Sequence, residues 1–358
     1  MTRGRVQGSM LKGQAARGGQ REGSALLVVL WATVVLSFAV AMAAERVALI
    51  LSDAGIRSRR LQAEMLADTA LVSLTTILKE EKQSAVNPGN EKESSKRRLN
   101  LERFVGTWCS EPVALGDGFY RIEITDEQAR INWLKTPTFA WRSLLQLADM
   151  PAQQVDAWLD ALEDWQDTDD GRRLNGAETM DYQSLPDRRR KAKNAAVTEM
   201  GELRWIFGEE KILAVKVPGE LPGTWRALWP MTTIHGDGKI NINTAPAPLI
   251  AAAAGISLED AQRLVKDRQG PDGIPDTVDD LYQAIPAWLN PQGRGGTSTS
   301  ALTSKAELFR IRGIGIYQRQ QVVREAMAVL KAETGLRLVE APYTVEARTL
   351  RKEEEQPQ

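Results

Sequence analysis

Residues 24–44, SALLVVLWATVVLSFAVAMAA, carry no charged side chain. Twenty-one such residues are enough to cross the roughly 30 Å hydrocarbon core of a bilayer as one helix. Arg3, Arg5, Lys12, Arg17 and Arg21 precede the run, and Glu45 and Arg46 follow it directly. The basic flank places the leader in the cytoplasm and everything after Ala44 across the membrane. A chain built this way is expected to carry its large polar remainder as one anchored head.

Three readings of the segment compete. In a cleaved secretory signal the apolar run would be shorter and a small-residue site would follow it; Ala41-Met42-Ala43 is the nearest match. A plain anchor needs nothing more than the run itself. In a prepilin leader a peptidase cuts at the cytoplasmic edge and leaves the run in place, and Arg21-Glu22-Gly23-Ser24 followed by Ala-Leu-Leu-Val-Val-Leu fits that pattern. The helical pattern continues past the membrane. Val47, Ile50, Leu51, Ala54, Leu61, Met65 and Val72 fall near one face, with Arg57, Arg59, Arg60, Glu64 and Asp68 on the other. This predicts one helix to about Lys82, ending before Asn87-Pro88-Gly89. A helix that is lipid-embedded first and amphipathic afterwards is the build of a pilin-like subunit.

The remaining residues divide by pattern. Glu80–Arg98 reads as a linker and Leu99–Thr107 as a short helix. Gly118–Thr125, GFYRIEIT, alternates as a strand; Asp126-Glu127-Gln128 turns the chain, and Ala129–Leu134 is the expected return strand. Helices follow at Phe139–Leu147, Pro151–Trp165, Pro248–Ala254, Leu258–Arg268 and Thr277–Ala284, with a short apolar segment at Glu202–Phe207. Gln292–Ser300 reads as a Gly/Ser/Thr linker. Strands return at Phe309–Ile316, with Val322–Leu330 and Arg337–Pro342 as candidate partners, although propensity would also permit a helix across Val322–Leu330; the charged tail Arg351–Gln358 is expected to be disordered. The fold class is α+β: a long amino-terminal helix and a small antiparallel sheet carrying a large helical insertion. The divisions fall at 1–23, 24–85, 99–136, 137–290, 301–345 and 346–358.

Composition narrows the chemistry. One histidine, His235, removes the usual general base and zinc ligand from nearly the whole chain, and one cysteine, Cys109, excludes an intrachain disulfide. A formal net charge of −1 gives no overall attraction to nucleic acid. Most of the ten tryptophans are expected in the core or at subunit contacts. The most distinctive polar feature is Asp164-Trp165-Gln166-Asp167-Thr168-Asp169-Asp170-Gly171. Asp167, Asp169 and Glu178 stand at positions one, three and twelve of an EF-hand-type loop, but Arg172 occupies position six, where the sharp turn wants glycine. A calcium loop of another shape and a solvated acidic loop that caps a helix both remain open; Asp164, Asp170 and Asp181 are further candidate ligands. Asp272, Asp276, Asp279 and Asp280 read as cap and turn residues. Residues 239–290 contain a helix-hairpin-helix-like unit, Asn241–Arg268, of the kind that grips a DNA backbone. Its hairpin, Ala254-Gly255-Ile256-Ser257, has one glycine and acidic neighbours, and Gly313-Ile314-Gly315 lies within a strand pattern, so a structural role is favoured.

Taken in order, several motifs resemble the K-type minor pseudopilin of the type II secretion system (general secretion pathway protein K). They are the apolar run after Gly23, Leu162-Glu163-Asp164-Trp165-Gln166-Asp167-Thr168-Asp169, Asn175-Gly176-Ala177-Glu178, Glu202-Leu203 followed by Gly208, and Ile240-Asn241-Ile242-Asn243-Thr244-Ala245. The resemblance implies prepilin-peptidase cleavage between Gly23 and Ser24, methylation of the new amino terminus, and a pilin-like fold with an inserted helical domain. It implies a non-enzymatic subunit at the tip of a periplasmic pseudopilus, initiating and capping its assembly. Its partners would be the I- and J-type minor pseudopilins, the inner-membrane secretion platform and membrane lipid, with no nucleic acid. It would be a single-pass inner-membrane protein, amino terminus cytoplasmic and carboxy-terminal domain periplasmic. Calcium would bind in the inserted domain through Asp167, Asp169 and Glu178, although Thr179 stands where the family often has a second acidic residue. Val28 occupies the fifth mature position, where most pilin-like subunits carry glutamate and the K-type family does not. A carboxylate in lipid needs a partner, so a subunit without one has no such tie to a subunit ahead of it. The competing function is a membrane-anchored DNA-binding protein of a competence-type system using Asn241–Arg268; a membrane-anchored hydrolase is a distant third, since no nucleophile and base converge.

Overall fold

The computed structural model describes residues 19–86, 101, 106–148, 150–185, 191–207, 229–271, 281–289, 301–331, 335–339 and 342–350. The chain forms two compact units, Met1–Leu61 and Gln62–Gln358. Helix α1 (Gly19–Val86) runs through 68 residues, roughly 100 Å at 1.5 Å per residue. It begins inside the expected leader and ends past the expected Lys82. Its first part is long and apolar enough to cross a membrane, compatible with a single-pass anchor.

In the second unit, α1 lies on an antiparallel sheet made of β1 (Thr107–Cys109), β2 (Val113–Leu115), β3 (Gly118–Asp126), β8 (Leu308–Tyr317), β9 (Gln320–Lys331), β10 (Gly335–Leu338) and β11 (Tyr343–Thr349). Strands β1 and β2 pair with β3, then β8 and β9 follow, and β10 and β11 share the far edge of β9. The helix face that meets the sheet is not the one the bulky side chains predicted. Ala63, Leu66, Ala67, Ala70, Leu71 and Leu74 are buried, while Leu61, Met65 and Val72 are 58–70% exposed. Close approach of backbones explains the choice. A Cβ on Gly315 would lie 2.0 Å from the Ala63 carbonyl oxygen, and one on Gly313 would lie 2.2 Å from that of Ala67. Small residues on both elements let the helix settle onto the strand, and Arg324 fastens it through Glu64 at 2.8 Å and Asp68 at 3.0 Å. Gly313-Ile314-Gly315 is thus strand, as its alternation indicated.

Strands β3 and β8 are neighbours, paired from Gly118↔Tyr317 to Asp126↔Phe309. Residues 127–307 therefore leave the sheet and return between two adjacent strands. They do so beside Ala70, Leu71 and Leu74 of α1, which share a core with Ile124 and Phe309, and away from Ala63, which meets Gly315. The insertion holds β4 (Ile131–Asn132), α2 (Thr138–Leu147), α3 (Ala152–Gln166), α4 (Thr179–Ser184), α5 (Leu203–Phe207), β5 (Thr232–Thr233), β6 (Ile240–Asn241), α6 (Ala247–Ala254), α7 (Leu258–Asp267) and β7 (Leu302–Thr303). Trp133 stacks on Trp141 with centroids 3.9 Å apart, and with Trp158 they form part of its core, so these tryptophans are core residues.

Several expectations are corrected. Ala129–Leu134 does not return along β3, whose partner is β8. Instead Glu127–Ala129 forms a 3-10 turn, and Ile131–Asn132 pairs in parallel with Thr232–Thr233. Buried Asn132 spends its Oδ1 on the Leu134 and Lys135 amides, which ends the strand. Leu281–Ala284 is not helical: Leu281 has φ 76° and the Tyr282 amide donates to Asn243 Oδ1; residues 277–280 lie outside the described set. Thr107 opens β1 rather than closing a helix, and most of 99–106 lies outside the described residues, as do 87–98, 292–300 and the tail 351–358. The second part of the sheet runs to Thr349, beyond the expected 345.

The hairpin-like unit is a packing device. All eight residues of α6 are buried, and Gly255 ends it at φ 66°. At the start of α7, Ser257 accepts the Asp260 amide, and Glu259 and Asp260 both pair with Arg263. Carboxylates stand where a phosphate would need donors.

Candidate metal centre

Asp164 lies in the last turn of α3, Asp167 caps that helix, and Glu178 precedes α4. One carboxylate oxygen from each lies within 4.8 Å of the others. The three-residue step from Asp164 to Asp167 puts both at one end of α3, and the connecting loop returns Glu178 to them. Gly176 permits this approach, since a Cβ there would stand 1.9 Å from Asp164 Oδ2. The Asn175 amide and side chain both donate to Asp160 Oδ2, at 3.1 and 3.2 Å, and hold the loop against α3. The Asn175-Gly176-Ala177-Glu178 motif therefore has a geometric purpose.

The cluster is short of positive charge. Asp164 is fully buried and accepts the Arg173 amide at 3.2 Å; the Arg173 guanidinium lies 3.5 Å from its other oxygen. Both oxygens of Glu178 and Oδ1 of Asp167 are buried without a hydrogen-bond partner, as is the Tyr182 hydroxyl. Burial pushes the Asp164 carboxyl above its usual range, and the charge of Asp167 adds to it against the Arg173 amide. Burial likewise raises Glu178, helped by Asp164, Asp167 and Asp170, and raises the Tyr182 hydroxyl beside Asp164 and Glu178. Orphaned buried acceptors that repel one another need protons or a cation. An all-oxygen donor set suits a hard ion such as Ca²⁺.

The other candidate ligands sit apart from this trio. Asp169 Oδ1 accepts the Gly171 amide at 2.8 Å, Asp170 Oδ1 accepts from Asn194 at 3.2 Å, and Asp181 accepts the Glu178 amide at 2.9 Å and pairs with Arg172 at 3.3 Å. Counting along an EF-hand loop favoured Asp169 over Asp164; the helical step that places Asp164 was the signal to use instead.

Two further motifs hold the insertion, one beside the site and one at the sheet. Burial alone would raise Glu202, yet Lys193, the Thr198 amide and hydroxyl, and the Glu199 amide hold it down at about 2. The Lys193 contacts are 2.8 and 2.9 Å, and the buried carboxylate also faces Trp165 Nε1 at 3.5 Å. In Ile240–Ala245, Asn241 Nδ2 donates to Asp126 Oδ2 at 2.7 Å and the Thr244 hydroxyl donates to the same oxygen at 2.5 Å. Asn243 Nδ2 donates to the Tyr282 and Ser304 carbonyls. This motif therefore ties the insertion to the end of β3. Gly23 and Ser24 lie within the helical span of α1, and Val28 is exposed on it.

Two family profiles match the chain, both described as type II secretion system (T2SS), protein K, over residues 97–214 and 240–303. The first holds the carboxylate trio and the second the Ile240–Ala245 junction. No curated protein matches. Among solved structures, a chain of the crystal structure of the GspK-GspI-GspJ complex from the enterotoxigenic Escherichia coli type 2 secretion system is similar at 15% identity and a TM-score of 0.51. The alignment covers 80% of this chain and 99% of that one, so the two share a fold. With matching profiles over both halves of the insertion and this shared architecture, the chain belongs to the type II secretion system protein K family of minor pseudopilins.

Proposed function

We propose that this chain is the tip subunit of the periplasmic pseudopilus, initiating and capping its assembly, and that it is not an enzyme. The observation that carries the reading is where the insertion leaves the sheet. It emerges between β3 and β8 beside Ala70, Leu71 and Leu74 of α1, at the opposite end of the strands from the Gly118–Tyr317 pair, so its bulk stands at one end of the sheet. A subunit added above would meet that bulk. Val28 leaves the apolar run without a carboxylate, which suits a subunit with none ahead of it. The exposed Leu61, Met65 and Val72 of α1 offer an apolar stripe to neighbouring helices.

The helix anchors the chain in the inner membrane, amino terminus in the cytoplasm and head in the periplasm. Prepilin peptidase cuts between Gly23 and Ser24, and the new amino terminus is methylated. The partners are the I- and J-type minor pseudopilins, the secretion platform and lipid; the related chain belongs to a GspK-GspI-GspJ complex. Asp164, Asp167 and Glu178 hold a calcium ion, whose charge offsets the mutual repulsion of the trio and locks the α3–α4 loop. Asp169, Asp170 and Asp181 shape and screen the loop around it.

Copurification tests the assembly. The full chain should be retained with I- and J-type subunits in detergent; salt-sensitive binding to duplex DNA with no such retention would favour the competence-type reading instead. The processed chain should begin at Ser24, and Gly23→Leu should leave the precursor uncut by intact-mass measurement.

A further inference from the structure

The insertion leaves the sheet at the end of β3, and the last residue of that strand is an acid. Asp126 is 1% exposed and stands opposite Phe309 in the ladder. Its Oδ1 accepts the Gln128 amide at 2.9 Å. Its Oδ2 accepts Asn241 Nδ2 at 2.7 Å and the Thr244 hydroxyl at 2.5 Å. One carboxyl thus joins the sheet to a loop of the insertion.

All three donors are neutral, and the charged groups nearby are engaged elsewhere. Glu127, the next residue, is held by Arg130 and Arg310. Arg310 and Arg312 from β8 also bind Glu325. Asp237 faces Gln128 Nε2 at 3.4 Å. Arg268, after α7, gives Nη1 to the Ile242 and Ala245 carbonyls at 3.2 and 2.8 Å. A buried carboxylate served by neutral dipoles alone is costly in its ionised form. Burial pushes Asp126 up to about 6 against the bonds from Thr244, Gln128 and Asn241, and the charge of Glu127 adds to the rise.

The proton count therefore differs between a closed and an open joint. Once Asn241 and Thr244 move off, water reaches the carboxyl and its value returns toward the ordinary 3.8. Between 3.8 and about 6 the closed joint binds a proton that the open one lacks. Its contribution to the hold is full in acid and is lost as pH rises through about 6.

We propose that Asp126 is a proton-operated latch between the sheet and the insertion, closed in acid and eased at neutral pH. Closing takes one proton from solvent onto Oδ2. The new O–H donates to the Thr244 oxygen, the half-buried Thr244 hydroxyl turns its own proton to water, and Asn241 Nδ2 keeps its bond. The latch depends neither on the carboxylate trio nor on a position at the tip.

Hydrogen exchange of the full chain in detergent, read by peptide mass spectrometry and corrected for the intrinsic effect of pH, tests it. The reporters are the Ile242 amide, bonded to the Thr303 carbonyl, and the Thr244 and Ala245 amides, bonded to that of Asn241. Their protection should rise about tenfold from about pH 7.5 to about pH 5, the ratio that values of about 6 closed and 3.8 open dictate. Asp126→Asn is neutral throughout and should show equal protection at both. A rise that persists in Asp126→Asn would belong to other titrating groups such as Asp164 and Glu178, and overturns the latch. So does protection in the unaltered chain that is equal or lower in acid. Thr244→Ala keeps the test if Asp126→Asn does not fold. It removes a donor that favours the ionised form, so the rise should begin at a higher pH. Protection lowered equally at every pH, with the onset unmoved, would mean that the bond is structural only and would also overturn the proposal.

Discussion

The carboxylate trio makes a prediction whose sign changes with the solution. At 4.8 Å, two unit charges in a medium of effective dielectric 20 repel by about 3.5 kcal/mol, and Glu178 faces two such neighbours. Burial and mutual repulsion push the Asp164 and Glu178 carboxyls upward, and a buried acceptor left without a partner costs roughly 1–3 kcal/mol when no cation is present. Glu178→Gln removes one charge and should therefore stabilise the chelated protein by that amount. For a unit of this size the gain corresponds to about 2–4 °C in melting temperature per kcal/mol. Calcium reverses the comparison. At a hundredfold excess over its dissociation constant, an ion that binds only the folded state adds about 2.7 kcal/mol. The unaltered chain should melt several degrees higher in about 1–10 mM calcium than in chelator, and Glu178→Gln should rise much less. Tryptophan fluorescence suits the assay, because Trp165 lies edge-on to Tyr182 at 5.3 Å, beside the cluster. Equal calcium shifts in the two proteins, or a Glu178→Gln variant that melts lower in chelator, would refute both the repulsion and the site.

Two other predictions concern packing and pH. Gly315→Ala drives a Cβ into the Ala63 carbonyl at 2.0 Å and the Ala67 amide at 2.5 Å, and neither backbone atom can yield without moving the helix. Denaturant unfolding should show a loss of at least about 3 kcal/mol, while Gly201→Ala, which meets nothing within 4 Å, should cost no more than about 1 kcal/mol. Glu202 is held at about 2 from an ordinary 4.5. Its depressed value stabilises the fold by about 3 kcal/mol above pH 4.5, and that contribution fades as pH falls toward 2. Glu202→Gln should flatten the acid limb of a stability–pH curve, and an unchanged limb would contradict the assignment.

What the sequence disclosed followed the strength of each periodic signal. The apolar run and the alternation of Gly118–Thr125 and Phe309–Ile316 announced α1, β3 and β8. Helices α2, α3, α6 and α7 appeared within a residue or two of their expected bounds. The buried face of α1 was misread because hydrophobicity was weighted by bulk, whereas the contact is made by alanines against glycines whose partners lie some 250 residues away. The partner of β3 was misassigned because a local turn at Asp126 is legible in sequence and a strand 180 residues distant is not. The trio was half-found for a related reason. Asp167 and Glu178 fit a loop count, whereas Asp164 stood only among the further candidates, because it belongs to a helix and the fold brings it to the other two. The Ile240–Ala245 motif was visible as a pattern, while its work, donating to the carboxylate at the end of β3, depends on Asp126, more than 110 residues earlier.

Capping by bulk, as proposed, requires that bulk to be held at a fixed angle, and a buried ion network stands where the insertion leaves the sheet. Glu127, its first residue, receives Arg310 Nη2 at 2.6 Å and Nε at 2.8 Å, and Arg310 Nη1 reaches Glu325 at 2.9 Å. The Glu127 and Glu325 side chains are at most 1% exposed. Such a pairing is costly to desolvate and adds little net stability over apolar residues of similar size, yet removing one partner leaves an uncompensated buried charge. Arg310→Met should therefore cost about 3–5 kcal/mol. Arg130 also pairs with Glu127, so the compensating variant must remove all three; in Glu127→Leu/Arg130→Met/Arg310→Met, Glu325 keeps Arg312 and the Tyr343 hydroxyl, so most of that stability should return. What should not return is orientation, because the bidentate geometry of Arg310 fixes the insertion to β8 in a way two apolar side chains do not. The triple variant is expected to melt near the unaltered chain and to copurify poorly with I- and J-type subunits. If it assembles normally at restored stability, the network serves the fold alone, and the angle of the insertion must be set by the Asp126–Asn241–Thr244 bonds instead.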